Sequence, residues 1–283
     1  MNFAFFSANL HHFISSIPFE DHEDLFLRFK KYHSARNPAE YRAKVAGLDR
    51  HMPAGILAVF HLGHHELLPL YLAEAGIDFD ILISRKVYHK YEDRLMKHQK
   101  TFKLTARHFN FLFAEDANVI FSLRKSLHAG KHILLFADGN LGSDAPPGQL
   151  LPLAFFERIL HVRTGIAFIS YLLRVPIYPL LDQECNGTIE ITAQPKLFPS
   201  VRQTRADYIK DAMQQLFDLL SHRLNESCTD WGCWDYLHRN GMLRLEEPSE
   251  ILPRYSLHKY ITVFSAGEKL FALDRENYNI YII

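Results

Sequence analysis

His61 and Glu66 stand five residues apart, directly after the apolar run Ile56 to Phe60 (ILAVF). An imidazole that gives one ring N–H to a carboxylate has its tautomer fixed, and its other nitrogen is left as a base. Histidine's reference pKa of about 6.5 suits that base to take a proton from a hydroxyl or amine near neutral pH. Were both residues helical, they would point about 140° apart, given 3.6 residues per turn. With His61 in a turn before the helix, its ring can fold back onto the Glu66 carboxylate. Gly63 lets the backbone turn tightly between them. His64 and His65 fill the same stretch and are read as pocket lining. Taken as metal ligands, His61, His64, His65 and Glu66 would suggest a hydrolase, but neither His-x-His-x-Asp-His nor His-Glu-x-x-His is present. No metal and no cofactor is expected.

The elements that must position these residues follow from periodicity. Ile56 to Phe60 is a short, continuously apolar run, as in a buried strand, so His61 stands at its carboxyl end. Gly76 lies where the helix from His64 to Ala75 should stop. The rhythm repeats: a strand over 79–84, a helix over 88–102, a helix over 116–128 stopped by Gly130, and a buried strand over 132–137 (HILLFA). A polar Gly/Pro loop covers 138–148. Thr164 opens a largely apolar helix to Leu173, and 177–181 and 188–192 read as strands. Thr204 and Asp207 form a capping box before a helix whose face is Ile209, Met213, Leu216, Phe217, Leu220 and Leu224.

Upstream, Phe3 to Ile17 places apolar residues at helical spacing, Asp21 caps a helix to Ser34, and Asn37-Pro38 starts another through Leu48. Strands alternating with helices make this an α/β fold, a mostly parallel central sheet with helices on both faces. In such sheets the chemistry sits beyond the carboxyl ends of the strands. One domain over 1–250 is expected, with N-terminal helices over 1–50 and a catalytic core over 51–240. A small C-terminal β-hairpin follows within an extension over 251–283.

Residues 55–65 resemble the first motif of the bacterial lipid A biosynthesis (lauroyl and myristoyl) acyltransferases, within the lysophospholipid and glycerol-phosphate acyltransferase superfamily. The superfamily's hallmark is His-x4-Asp/Glu, which His61 and Glu66 match, and Phe60-His61-Leu62-Gly63 is similar to its Gly-His-Phe-Gly. Further likenesses follow in order: Ser84-Arg85-Lys86, Leu127 to Asp138, Leu151 to Arg158, Arg163-Thr164-Gly165, Val175 to Leu181, and Tyr236 to Arg239. The chain departs from the pattern at His64 and His65 (usually Asn-Trp), Gly139, Glu157, Tyr236 and Asn240, and the family's N-terminal membrane helix is not expected in it. The resemblance implies acyl transfer from acyl carrier protein or acyl-CoA to a hydroxyl or amine, with His61 as base and Glu66 stabilising its imidazolium. It offers Arg85, Asp138, Arg158 and Arg163, with His64 and His65, as substrate-binding residues. Arg85 leads for phosphate, because its planar fork suits that group. A non-catalytic binding module would keep the fold without needing the intact His61 and Glu66.

Lys plus Arg and Asp plus Glu are each 32, so net charge points neither to nucleic acid nor to a strongly anionic surface. Three cysteines, an odd number at no disulfide-like density, fit a reducing compartment. Cys228 and Cys233 near His222 and His238 fit no common zinc spacing. No stretch approaches the roughly 20 apolar residues of a spanning helix. The expectation is a cytoplasmic protein with at most peripheral membrane contact. Its acceptor is expected to be a soluble or carrier-bound small molecule or peptide rather than a bilayer glycolipid.

Overall fold

The computed structural model describes residues 3–34, 41–49, 51–101, 109–139, 150–239 and 260–282. In chain order these form helices α1 (Phe3–Phe13) and α2 (His22–Tyr32), strands β1 (Arg42–Ala46) and β2 (Ile56–Val59), then α3 (Leu68–Glu74), β3 (Phe79–Ile83) and α4 (Arg85–Thr101). There follow β4 (Phe111–Phe113), α5 (Val119–His128), β5 (His132–Phe136), β6 (Leu151–Phe155), β7 (Arg158–Val162) and α6 (Gly165–Leu173). The chain continues through β8 (Ile177–Cys185), β9 (Thr188–Ala193) and α7 (Arg205–Glu226), and closes with β10 (Ile261–Ala266), β11 (Lys269–Asp274) and β12 (Ile280–Ile282). It divides into two compact units, one of residues 35–139 and 164–220, the other of 1–34, 140–163 and 221–283.

The first unit holds a seven-stranded sheet in the order β1-β9-β8-β2-β5-β3-β4, flanked by helices. All its pairs are parallel except β8 with β9, so the expected mostly parallel α/β sheet is present. Every residue of β2 is buried, which is why it reads as an unbroken apolar run rather than an alternating one. Leu57, Val59, Leu72, Phe79, Leu134 and Tyr178 lie at the heart of the core. Gly55 leads into β2 where the backbone runs close to the start of β8. A Cβ there would lie 2.5 Å from the Pro176 carbonyl oxygen, so no larger residue fits without displacing backbone.

Two expectations for this unit are corrected. Residues 42–46 form a strand rather than part of a helix over 37–48 (Asn37 and Pro38 lie outside the described residues). Tyr41, Ala43 and Val45 pack on the core while Arg42 and Lys44 face out, a period of two that lets the segment pair in parallel with β9. The helix expected from His64 begins instead at Leu68. Residues 63–67 are turns, tied by Leu67 N–H and Leu68 N–H to the His64 carbonyl at 2.9 and 3.1 Å. Gly76, at φ +74°, does follow that helix in the left-handed conformation a C-terminal stop requires. Most of the loop expected over 138–148 lies outside the described residues.

The second unit is built on aromatic packing. Phe6 packs between Phe26 and Phe29, and Phe13 meets Phe155 and Trp234. Trp231 completes that cluster against Phe155 and Trp234. The apolar stripe of the N-terminal segment is therefore core: Ala4, Phe6, Ala8, Leu10 and Phe13 are wholly buried. Asp21 holds the N-cap position of α2, but its side chain makes no capping hydrogen bond. The stretch 151–162 is an antiparallel hairpin whose turn places Phe156 at φ +50°. The expected C-terminal hairpin is present and gains a third strand, β12. Residues 260–282, expected as an extension, pack with the N-terminal helices, Leu273 lying against Ala4 and Ala8. No helix among the described residues is long and apolar enough to cross a membrane.

Candidate active site

Strands β2 and β5 are parallel neighbours with Val59 opposite Phe136. Two residues beyond that pair, the same register sets His61 opposite Asp138, at the carboxyl end of both strands. The pairing is carried past the strand ends by the Ala137 N–H, which donates to the Val59 carbonyl at 2.7 Å. His61 Nδ1 lies 2.8 Å from Asp138 Oδ1, and the His61 backbone N–H donates to Asp138 Oδ2 at 2.9 Å. One carboxylate thus holds both the ring and the backbone of one histidine. Asp138 is wholly buried and the His61 side chain is 29% exposed.

Those bonds fix the chemistry. A buried carboxylate accepts at Nδ1, so the ring proton sits there and Nε2 carries the lone pair. The ring lies against Phe136, centroids 4.4 Å apart, and meets His65 edge-on at 5.0 Å. His65 is itself turned by its own Nδ1–H, which donates to the Leu62 carbonyl at 2.7 Å. The partner the structure gives to Nδ1 of His61 is Asp138, where the sequence had suggested Glu66. Glu66 lies half-buried in the same turn, with His65 before it and Leu67 after it.

His64 points elsewhere. Its wholly buried ring bonds through Nε2 to Glu184 Oε2 at 3.0 Å and packs edge-on against Tyr41 at 4.9 Å. It ties the turn after β2 to the far end of β8 rather than lining an opening. Glu184 has no signal in the sequence, because the apolar run of the strand at 177 stops at Leu181. The strand itself runs on to Cys185, and pairing with β9 carries the extension.

Arg85 is the first residue of α4, just past β3, on the same carboxyl edge of the sheet as His61. Its backbone N–H points at both carboxylate oxygens of Glu115, each at 3.1 Å, and its guanidinium Nη2 donates to Asp116 at 2.5 Å while lying over the Phe113 ring. A carboxylate therefore already occupies the start of this helix, where the dipole favours negative charge.

Arg158 and Arg163 belong to the other unit. Arg158 Nε donates to the His12 carbonyl at 3.2 Å. In that unit neither Cys228 nor Cys233 forms a disulfide: the Cys233 sulfur lies 2.9 Å from the Tyr236 hydroxyl, and His238 stacks on Phe5.

No known family model matches the chain, and no curated protein sequence matches it. Among solved structures it is similar to the 1-acyl-sn-glycerophosphate (LPA) acyltransferase PlsC from Thermotoga maritima, with a TM-score of 0.40 and 13% identity over 81% of this chain and 95% of that one. A likeness of that degree carries no argument about activity.

Proposed function

We propose that the chain is an acyltransferase in which His61, held by Asp138, is the general base. The observation that carries this reading is the 2.8 Å contact between His61 Nδ1 and a buried carboxylate at the carboxyl ends of adjacent parallel strands. The acyl chemistry itself rests on the ordered motif resemblance between residues 50 and 240. A thioester, acyl carrier protein or acyl-CoA, is the proposed donor, and a hydroxyl or amine the acceptor.

As the acceptor attacks the thioester carbonyl, Nε2 of His61 takes its proton. The tetrahedral intermediate collapses by breaking the carbon–sulfur bond, and the imidazolium returns the proton to the departing thiolate. Asp138 stabilises the imidazolium between these steps. General-base help of this kind contributes roughly 10²- to 10⁴-fold. Arg85, 51% exposed, has guanidinium N–H donors beyond the one given to Asp116 and is the proposed contact for donor phosphate. The proposed acceptor is soluble or carrier-bound.

The test incubates the purified chain with acyl carrier protein and acyl-CoA donors against hydroxyl, amine and glycolipid acceptors, reading products by mass. Acylated product from wild type, absent with His61→Ala, supports the reading. A set with no acylated product from any donor overturns it.

A further inference from the structure

A second feature of the sheet unit lies away from the dyad. The segment joining β9 to α7 is pinned at both ends: Leu197 exchanges two backbone hydrogen bonds with Ile177, at 2.8 and 2.9 Å, and Thr204 Oγ1 accepts from the Asp207 N–H at the start of α7. Between these anchors, with Pro199 stiffening the path, Phe198 is 53% and Val201 95% exposed. Leu172, at the end of α6, is also exposed. Lys196, Arg202 and Arg205 are exposed in the same stretch of chain as the two loop side chains, and none enters an ion pair among the described residues. Arg174 lies exposed just past α6, its guanidinium over Tyr171. The nearby acids, Asp207 and Asp211, are turned to Thr204 and Gln203, and Lys210 lies between them. The whole chain's zero net charge conceals this local excess of cations.

We propose that this loop docks the protein on an anionic lipid surface, Val201 and Phe198 entering the interface and Lys196, Arg202, Arg205 and Arg174 meeting the headgroups. Exposed apolar side chains among exposed cations are what such a surface binds, the apolar part by burial and the cations by surface potential. A protein partner fits less well, because a stable interface covers about 800 Å² per side and two projecting side chains offer a wedge instead. Leu197 pairs with Ile177, and Ile177 lies opposite Ile56, five residues before His61. At about 3.3 Å per residue the loop and the dyad lie roughly 17 Å apart along the strand direction, on opposite edges of the sheet. Docked this way, His61 faces away from the bilayer, towards acceptors in the aqueous phase.

The test is sedimentation of the intact chain with vesicles of neutral phosphatidylcholine and with vesicles containing about a third phosphatidylglycerol, in low and high salt. Binding is expected on the anionic vesicles, weakening with salt. A fivefold or greater loss is expected in Val201→Asp and, separately, in Arg202→Glu, each checked for an unchanged melting temperature. In Val201→Trp, a blue shift in tryptophan emission should appear on adding anionic vesicles. His61→Ala should bind as wild type does, which separates this proposal from the acyltransfer reading. Equal binding to neutral vesicles, no binding to anionic ones, or wild-type binding by both charge variants overturns it. So does a result in which the same variants lose binding to an acidic carrier protein while vesicles are not bound at all.

Discussion

His61 in the sheet unit and His22 in the aromatic unit each face a polar partner on another element, 77 and 15 residues away, and both contacts are short. His22 Nδ1 lies 2.6 Å from the Ser7 hydroxyl, which in turn accepts from Arg275 Nη1 at 2.9 Å. Its Nε2–H points to the Ile17 carbonyl at 3.3 Å, so Nδ1 is the accepting nitrogen and Ser7 the donor. A serine and a histidine in hydrogen-bond contact have the parts of a nucleophile and its base. Yet Ser7 and His22 are wholly buried, and both ring nitrogens of His22 and the Ser7 hydroxyl are engaged by neighbours. His61 has the reverse arrangement: Nδ1 donates to a buried carboxylate, and the ring reaches solvent. What distinguishes the proposed base from the structural imidazole is which nitrogen is committed and whether the other can be reached.

Four experiments press on that difference. His61→Ala should lower transfer by at least about 10²-fold while leaving the melting temperature unchanged, since the side chain lies past a strand end. Retention of more than a tenth of the activity would remove His61 from the chemistry. Asp138→Asn should cost roughly 10²- to 10⁴-fold in kcat, up to the whole general-base contribution. The amide oxygen can still accept from the His61 backbone N–H, but the amide nitrogen then faces Nδ1 and drives the proton to Nε2. Steady-state kinetics on the purified variant measure this, and near-wild-type turnover would show that Asp138 does not set the tautomer.

Acid should act on the other histidine. Burial, with Arg275 adding to it, lowers the His22 pKa from 6.5 to about 4. The unfolded chain takes up a proton below about pH 6.5 that the folded chain refuses until about pH 4, so stability falls as pH drops through that window. The full loss is on the order of 3 kcal/mol. Thermal melts at steps from pH 7.5 to 4.5 read it, and in His22→Asn, whose oxygen can still accept from Ser7, the slope should flatten. An unaltered slope would place the acid sensitivity elsewhere. Glu66→Gln should have the smallest effect, less than about tenfold in kcat, because the ring keeps Asp138. A loss as deep as that of Asp138→Asn would restore Glu66 as the orienting group.

Much of the sheet unit was legible. ILAVF before His61 and ILLFA before Asp138 each mark a buried strand closed by a polar residue at its carboxyl end. What periodicity could not supply was that the two strands are neighbours in that register, because parallel pairing is decided by crossovers many residues long. Sequence spacing alone therefore points to Glu66, whereas the structure sets Asp138 against Nδ1 of His61. The strand at 42–46 was obscured by Asn37-Pro38, a helix-start signal only a few residues upstream. Its partner β9 lies some 146 positions further on, from Arg42 to Thr188, and no local pattern announces it. The 22 Phe and 13 Tyr of the sequence are compatible with either a lined pocket or a generous core, and in the unit of α1 and α2 Phe6, Phe13, Phe29 and Phe155 are core.

The double hold of Asp138 on His61 has a spectroscopic consequence. Because one carboxylate bonds the ring and the amide of the same residue, a change of charge on the ring is transmitted to the amide proton. The His61 amide thereby becomes an internal indicator. Its nitrogen chemical shift and its rate of exchange with deuterium should follow the protonation of the imidazole, so the charge on the proposed base can be followed through the backbone without any substrate bound.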